Sequence, residues 1–162
     1  MVHCLAVFLI AAMGSSEVFA SERELDLRAG YVYHILKYVE WDDGGDGTLR
    51  IGVVGDQGMV KALSVYKDRR VWGQPLAVEA VDFSAAKARA YDVVYIQGVL
   101  SGDECFLDQK GLLTIGDDPE FILKGGMLKL HKVNLRIKIK SNHPKAKALG
   151  LRLSSKLLSL SD

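Results

Sequence analysis

LLTIGDDPEFILKGGMLKL, residues 112 to 130, is the stretch where the order of elements changes. A short apolar run stops at Gly116-Asp117-Asp118, and a second opens behind Gly125-Gly126. Upstream, apolar runs of strand length alternate with segments of helical period. Residues 49 to 54 end at Gly55-Asp56-Gln57-Gly58, and residues 59 to 67 resume a helical spacing. A second strand follows Pro75 over residues 76 to 81, and an Ala-rich crossover helix covers residues 84 to 90. Residues 92 to 96 and 112 to 115 supply two more strands, with a short helix over 107 to 110 between them. Such alternation predicts a parallel sheet covered on both faces.

Downstream the pattern is different. Residues 127 to 132 and 134 to 140 have almost nothing between them, so they pair as an antiparallel hairpin. Leu135, Ile137 and Ile139 alternate with Arg136, Lys138 and Lys140, which puts aliphatic side chains on one face and cations on the other. Asn142 caps a final helix, Pro144 suits its first turn, and Leu149, Leu153, Leu157 and Leu160 form its buried side. At the front, Leu25, Ala29, Val32, Leu36 and Val39 mark one face of a helix over residues 22 to 41. Ser21 serves as its cap and Gly44-Gly45 as its stop. The expected fold is a single α/β domain: a mixed, mainly parallel sheet flanked by helices, closed by a C-terminal antiparallel hairpin and helix.

The first twenty residues read as an export signal. The ten-residue apolar run from position 4 to 13 is too short to span a bilayer, and Val18-Phe19-Ala20 offers small residues where signal peptidase reads. Cleavage after Ala20 leaves residues 21 to 162 as a periplasmic domain. Its formal charge of about +2 hides an asymmetry. Residues 21 to 120 hold 11 Lys or Arg against 18 Asp or Glu, whereas residues 121 to 162 hold 10 against Asp162 alone. A basic final third points to an acidic partner. Cys105 is the one thiol left after cleavage, so the mature chain closes no internal disulfide; a packed side chain or an intermolecular bond are the readings open to it.

Two groups of residues are candidates for function. Gly55, Asp56, Gln97, Asp117 and Asp118 fall at the C-terminal ends of the parallel strands, where open α/β sheets bind small ligands. Gly55-Asp56-Gln57-Gly58 lacks the third glycine of a dinucleotide fingerprint and the Gly-Lys-Ser/Thr end of a P-loop, and a tight turn with Asp56 as helix cap accounts for it. Capping ahead of Pro119 likewise explains Asp117-Asp118 without a metal. The second group is Leu128, Leu130, Lys138 and Lys140, on the hairpin, as a surface for a protein partner; a row of cations also guards an edge strand against aggregation. His34, His131 and His143 share no metal spacing, and no Ser-His-Asp set is legible, so neither a metal, a cofactor nor a catalytic residue is expected. Nucleic acid is a poor partner for cations with no aromatic residue among them.

Four segments in order resemble the YfiR family of small periplasmic regulatory proteins: Lys37-Tyr38-Val39-Glu40-Trp41, residues 49 to 56 (LRIGVVGD), Gly125-Gly126-Met127, and residues 148 to 158 (ALGLRLSSKLL). The resemblance implies a non-enzymatic inhibitor that binds the periplasmic domain of an inner-membrane signalling protein such as a diguanylate cyclase. It leaves self-association into a homodimer open. The competing class is a periplasmic small-ligand binding or sensor protein using the strand ends. N-terminal sequencing of the protein from the periplasmic fraction is expected to begin at Ser21, and an intact Met1 form confined to the cytoplasm would exclude a periplasmic role.

Overall fold

Short apolar runs buried on both faces build the centre of one sheet. The computed structural model describes residues 13–42, 47–86, 91–100 and 105–162. After helix α1 (Met13–Leu36) come β1 (Val39–Trp41), β2 (Leu49–Val54), α2 (Gln57–Ser64), β3 (Arg70–Val71), β4 (Gln74–Ala80), α3 (Phe83–Ala86) and β5 (Val93–Ile96). A 3-10 turn (Cys105–Asp108) leads to β6 (Leu113–Gly116), β7 (Leu128–Val133), β8 (Arg136–Ser141), α4 (His143–Ala148), β9 (Leu151–Leu153) and α5 (Ser155–Ser159). Seven strands form a sheet in the order β3-β4-β2-β5-β6-β7-β8, and β1 pairs separately with β9. The five inner strands are parallel, and β3 and β8 join antiparallel at the two edges. The mixed, mainly parallel α/β sheet expected from the sequence is therefore present.

Odd and even strand residues feed two cores. Ile51, Val53, Val93, Tyr95, Leu113 and Ile115 face α1, α2 and the C-terminal segments. Val54, Val94 and Ile96 face the other way, against Ala86, Leu100, Leu107 and Phe121. Gly116 and Gly126 make room for Phe121, because a Cβ at either position would fall inside its ring. Gly125, at φ +96, ends the turn that begins at Asp118 and lets the chain enter β7. The paired glycines of the opening stretch thus serve packing and turn geometry at one corner.

Several boundaries differ from the sequence reading. Helix α1 stops at Leu36 rather than running to residue 41, and Ser21 lies within it rather than capping it. Val39 still reaches the core, but from β1, whose partners are Leu151 and Leu153. Gly44-Gly45, assigned as the helix stop, and residues 87 to 90 of the second crossover helix lie outside the described residues. The final helix is two short helices with a strand between them. Gly150, at φ +81, donates its amide to the Lys147 carbonyl and turns the chain out of α4 into β9. Leu153 and Leu157 are buried from different elements, whereas Leu160 is largely exposed. Asn142 does cap α4, accepting from the Lys145 amide. Two hairpins turn through paired positive φ angles, at Trp72-Gly73 and Asn134-Leu135, as two-residue connections matching the strand twist require. Leu135 is consequently a turn residue in solvent and not part of the aliphatic face. The short helix read over residues 107 to 110 is the 3-10 turn, which begins at Cys105; that side chain lies outside the described residues.

Gly126→Ala is expected to lower stability by about 1–3 kcal/mol, the usual cost of overpacking. In urea titrations the loss should shrink when Phe121→Leu is already present, because the smaller side chain vacates the space. Equal losses in both backgrounds would show that the ring does not set the requirement.

Candidate functional site

Asp117 and Asp118 are adjacent in sequence and serve two different neighbourhoods. Asp118 is buried and accepts hydrogen bonds from the Leu100 amide at 2.8 Å, the Glu120 amide at 2.8 Å and the Lys124 ammonium at 3.0 Å. Lys124 also donates to the Leu100 carbonyl at 2.8 Å, so carboxylate and ammonium together tie the exit of β6 to the exit of β5. The Glu120 amide, ahead of the Leu100 amide and Lys124, holds Asp118 below the usual carboxylate range against the opposing effect of burial. Every oxygen of this carboxylate is engaged with its own chain.

Asp117 turns the other way. One oxygen accepts from the Gly98 amide at 2.9 Å, and the other faces the Arg28 guanidinium at 3.9 Å. Arg28 also binds Glu24 at 3.0 Å and donates to the Leu130 carbonyl at 3.3 Å, and Lys132 meets Glu24 at 2.7 Å. The Lys132 and Arg28 hydrogen bonds, in that order, hold Glu24 below the usual carboxylate range. These groups surround a cavity of about 310 Å³ at the C-terminal ends of β5 and β6, with Gln97 in its wall. The Gln97 side-chain oxygen is buried with no hydrogen-bond partner among the described residues. The buried Tyr95 hydroxyl lies in the electrostatic reach of Asp117 and Arg28; burial, with Asp117 adding to it, pushes its pKa up to about 12, so it stays protonated.

Of the five strand-end candidates, then, the structure brings Gln97 and Asp117 to one cavity. Gly55, at φ +117, packs against Gln97, where a Cβ would stand 2.9 Å from the Gln97 Cβ. Asp56 caps α2 through the Gly58 amide at 2.7 Å, and Asp118 belongs to the loop knot. Sequence reasoning missed Glu24, Arg28 and Lys132. The four-residue spacing of Glu24 and Arg28 was a readable pair on a helix, but its meeting with Asp117 depends on how α1 lies across the sheet. Here two carboxylates meet two cations, so the charges of the cavity largely satisfy one another.

The hairpin candidates also divide. Leu128 and Leu130 are wholly buried and cannot be a docking surface, because both point into the core packed beneath α1. Their neighbours on β7 and the alternate residues of β8 point outward. Lys129 stands directly opposite Lys140, and His131 opposite Lys138. Lys138 is held by Asp162 at 3.1 Å, while Lys140 is exposed and makes no ion pair among the described residues. Burial first, and then Lys129, push the His131 imidazole below its ordinary pKa, with Asp162 opposing them. Val133 and Leu135 add exposed apolar surface at the hairpin tip.

The sequence profile of one family, described as YfiR/HmsC-like, matches residues 25–162. The chain belongs to the YfiR/HmsC-like family. Membership in this family suggests a periplasmic regulator. No curated protein matches the chain. Among solved structures, a conserved domain protein from Vibrio cholerae O1 biovar El Tor strain N16961 is similar over 85% of this chain, with a TM-score of 0.53 and 14% identity. The chain spans 58% of that protein's length, and the likeness supports the fold alone. Among the described residues no helix is long and apolar enough to cross a membrane.

Asp118→Ala should cost about 2–3 kcal/mol at neutral pH, because the buried Leu100 amide and the Lys124 ammonium lose their acceptor. Folded Asp118 titrates below its ordinary value of 3.8, so its stabilisation is complete above that pH and is lost as pH falls through the folded pKa. Denaturant melts at pH 7 and pH 3 should therefore show a gap between wild type and variant that narrows at the lower pH. A gap that widens on acidification would contradict this account.

Proposed function

We propose that the chain is exported, cleaved after Ala20, and acts by binding the acidic periplasmic domain of an inner-membrane signalling protein such as a diguanylate cyclase, holding it inactive. The observation that carries this reading is the Lys129–Lys140 pair. Like charges directly opposite on neighbouring strands are locally unfavourable, and here they are flanked by Lys138, Arg136 and the partly exposed His131. Edge protection accounts for cations on the edge strand β8, not for Lys129 on the inner strand β7. An anionic partner surface relieves that repulsion and is drawn in by the same field. The docking surface is accordingly Lys138 and Lys140 with Lys129 and the hairpin tip, in place of the buried Leu128 and Leu130.

A second reading, binding of a small ligand at the strand ends, is favoured by the buried, unpartnered oxygen of Gln97 beside Asp117. It makes this cavity the sensor input of the same regulator, with Gly55 packed behind Gln97 and Asp56 and Asp118 outside it.

Lys138→Glu with Lys140→Glu should slow association with the partner's periplasmic domain about 10-fold at low salt and flatten its salt dependence. Circular dichroism should be unchanged, since exposed substitutions shift stability by about 0.5 kcal/mol. Unaltered association kinetics in the folded double variant would move the docking surface elsewhere.

A further inference from the structure

A second cavity lies at the other end of the sheet, before the first residues of β2, β5 and β6. It measures about 560 Å³, well within the range of about 300–1,000 Å³ usual for small-ligand clefts. Two aromatic walls come from separate elements: Trp41 from β1, and Trp72 from the turn between β3 and β4. These are both of the tryptophans in the chain.

Each indole has already used its N–H. Trp41 donates to the Gly111 carbonyl at 3.0 Å. Trp72 donates to the Val39 carbonyl at 2.8 Å and lies 3.2 Å from that of Leu36. What remains for the cavity is ring surface, electron-rich at its faces. Trp72 has 58% of its surface exposed and sits at φ +53, a backbone region that bulky side chains avoid and that Asn or Gly would fill without strain. A large aromatic held half in solvent on an unfavourable backbone, beside a cavity, points to a role in binding.

The polar lining is mixed. Arg152 joins Glu40 at 3.1 Å and Asp42 at 3.6 Å, Asp92 accepts the Arg50 amide at 2.8 Å, and Lys110 completes the set. Three carboxylates against two cations give little net field to select an ion. They do give hydrogen-bond acceptors and donors around aromatic faces, close together.

We propose that this cavity binds a neutral oligosaccharide. A pyranose ring has an apolar face of C–H groups, which lies against an indole face, and a rim of hydroxyls, each both donor and acceptor, which reaches carboxylate, guanidinium and ammonium groups alike. The site is remote from the basic hairpin face, so its failure would leave the regulatory reading standing.

Because both tryptophans line the cavity, intrinsic fluorescence of the purified protein reports occupancy directly. Titration with chitotriose and with cellotriose is expected to give a saturable change in emission with at least one of them. By calorimetry, Trp72→Asn, which keeps a residue suited to the turn, should weaken that saccharide at least 10-fold while circular dichroism stays native. Lys138→Glu with Lys140→Glu should bind it as wild type does. Absence of any saturable response to both saccharides, or binding that survives Trp72→Asn in the folded variant, would overturn the proposal. So would a saturable response to tetramethylammonium chloride in place of the sugars, which would identify the walls as a cation cage.

Discussion

Three residues at each end of the domain, Val39–Trp41 and Leu151–Leu153, have to find one another, and much of the rest follows from that pairing. It requires α1 to stop at Leu36 and the chain after α4 to straighten, although both flanking stretches carry helical apolar spacing. The Ser154 amide meets the Tyr38 carbonyl at 2.9 Å and the Asp42 amide meets the Gly150 carbonyl at 3.1 Å, so the ladder is sealed above and below. Trp72 then anchors the β3–β4 hairpin to the same corner through the Leu36 and Val39 carbonyls, which the helix end would otherwise leave without a strand partner. The cavity walled by Trp41, Trp72 and Arg152 is the space this corner encloses.

What the sequence made legible was what rests on local chemistry. Strands β2, β5 and β6 are short apolar runs bounded by turn residues, and Asp56 and Asn142 are caps whose bonds lie within three residues. The β7–β8 hairpin was visible because its alternation continues for six residues on each side. Strands β1, β3 and β9 are two or three residues long, too short for any period to register, and β1 has its partner more than a hundred positions away. Spacing alone could not separate Val39 on a helix face from Val39 in a strand, because both conformations bury it.

The same limit applies to function. Alternation told that Leu128 and Leu130 share a face opposite to Lys129, but not which face α1 would cover. Cation excess in the last third was plain in the sequence, yet its arrangement as facing lysines depends on the register of the hairpin. The Glu24–Arg28–Asp117 group joins the first helix to the end of the sixth strand, a meeting that only the packed fold creates.

Among the described residues the two faces of the sheet are unequally covered. One carries α1, α2, α5 and the β1–β9 ladder over a long apolar layer; on the other, the described residues form a smaller cluster around Val94, Ile96 and Phe121, beside α3 and a 3-10 turn. Cooperative units within a protein open at different free energies, and the unit with fewer buried apolar contacts opens first. The smaller described cluster is also the one the Asp118–Lys124 knot pins down, through Leu100 and the segment leading to Phe121. Loss of that buried carboxylate would therefore be felt first around Leu100 and Phe121, on the side of the smaller described cluster.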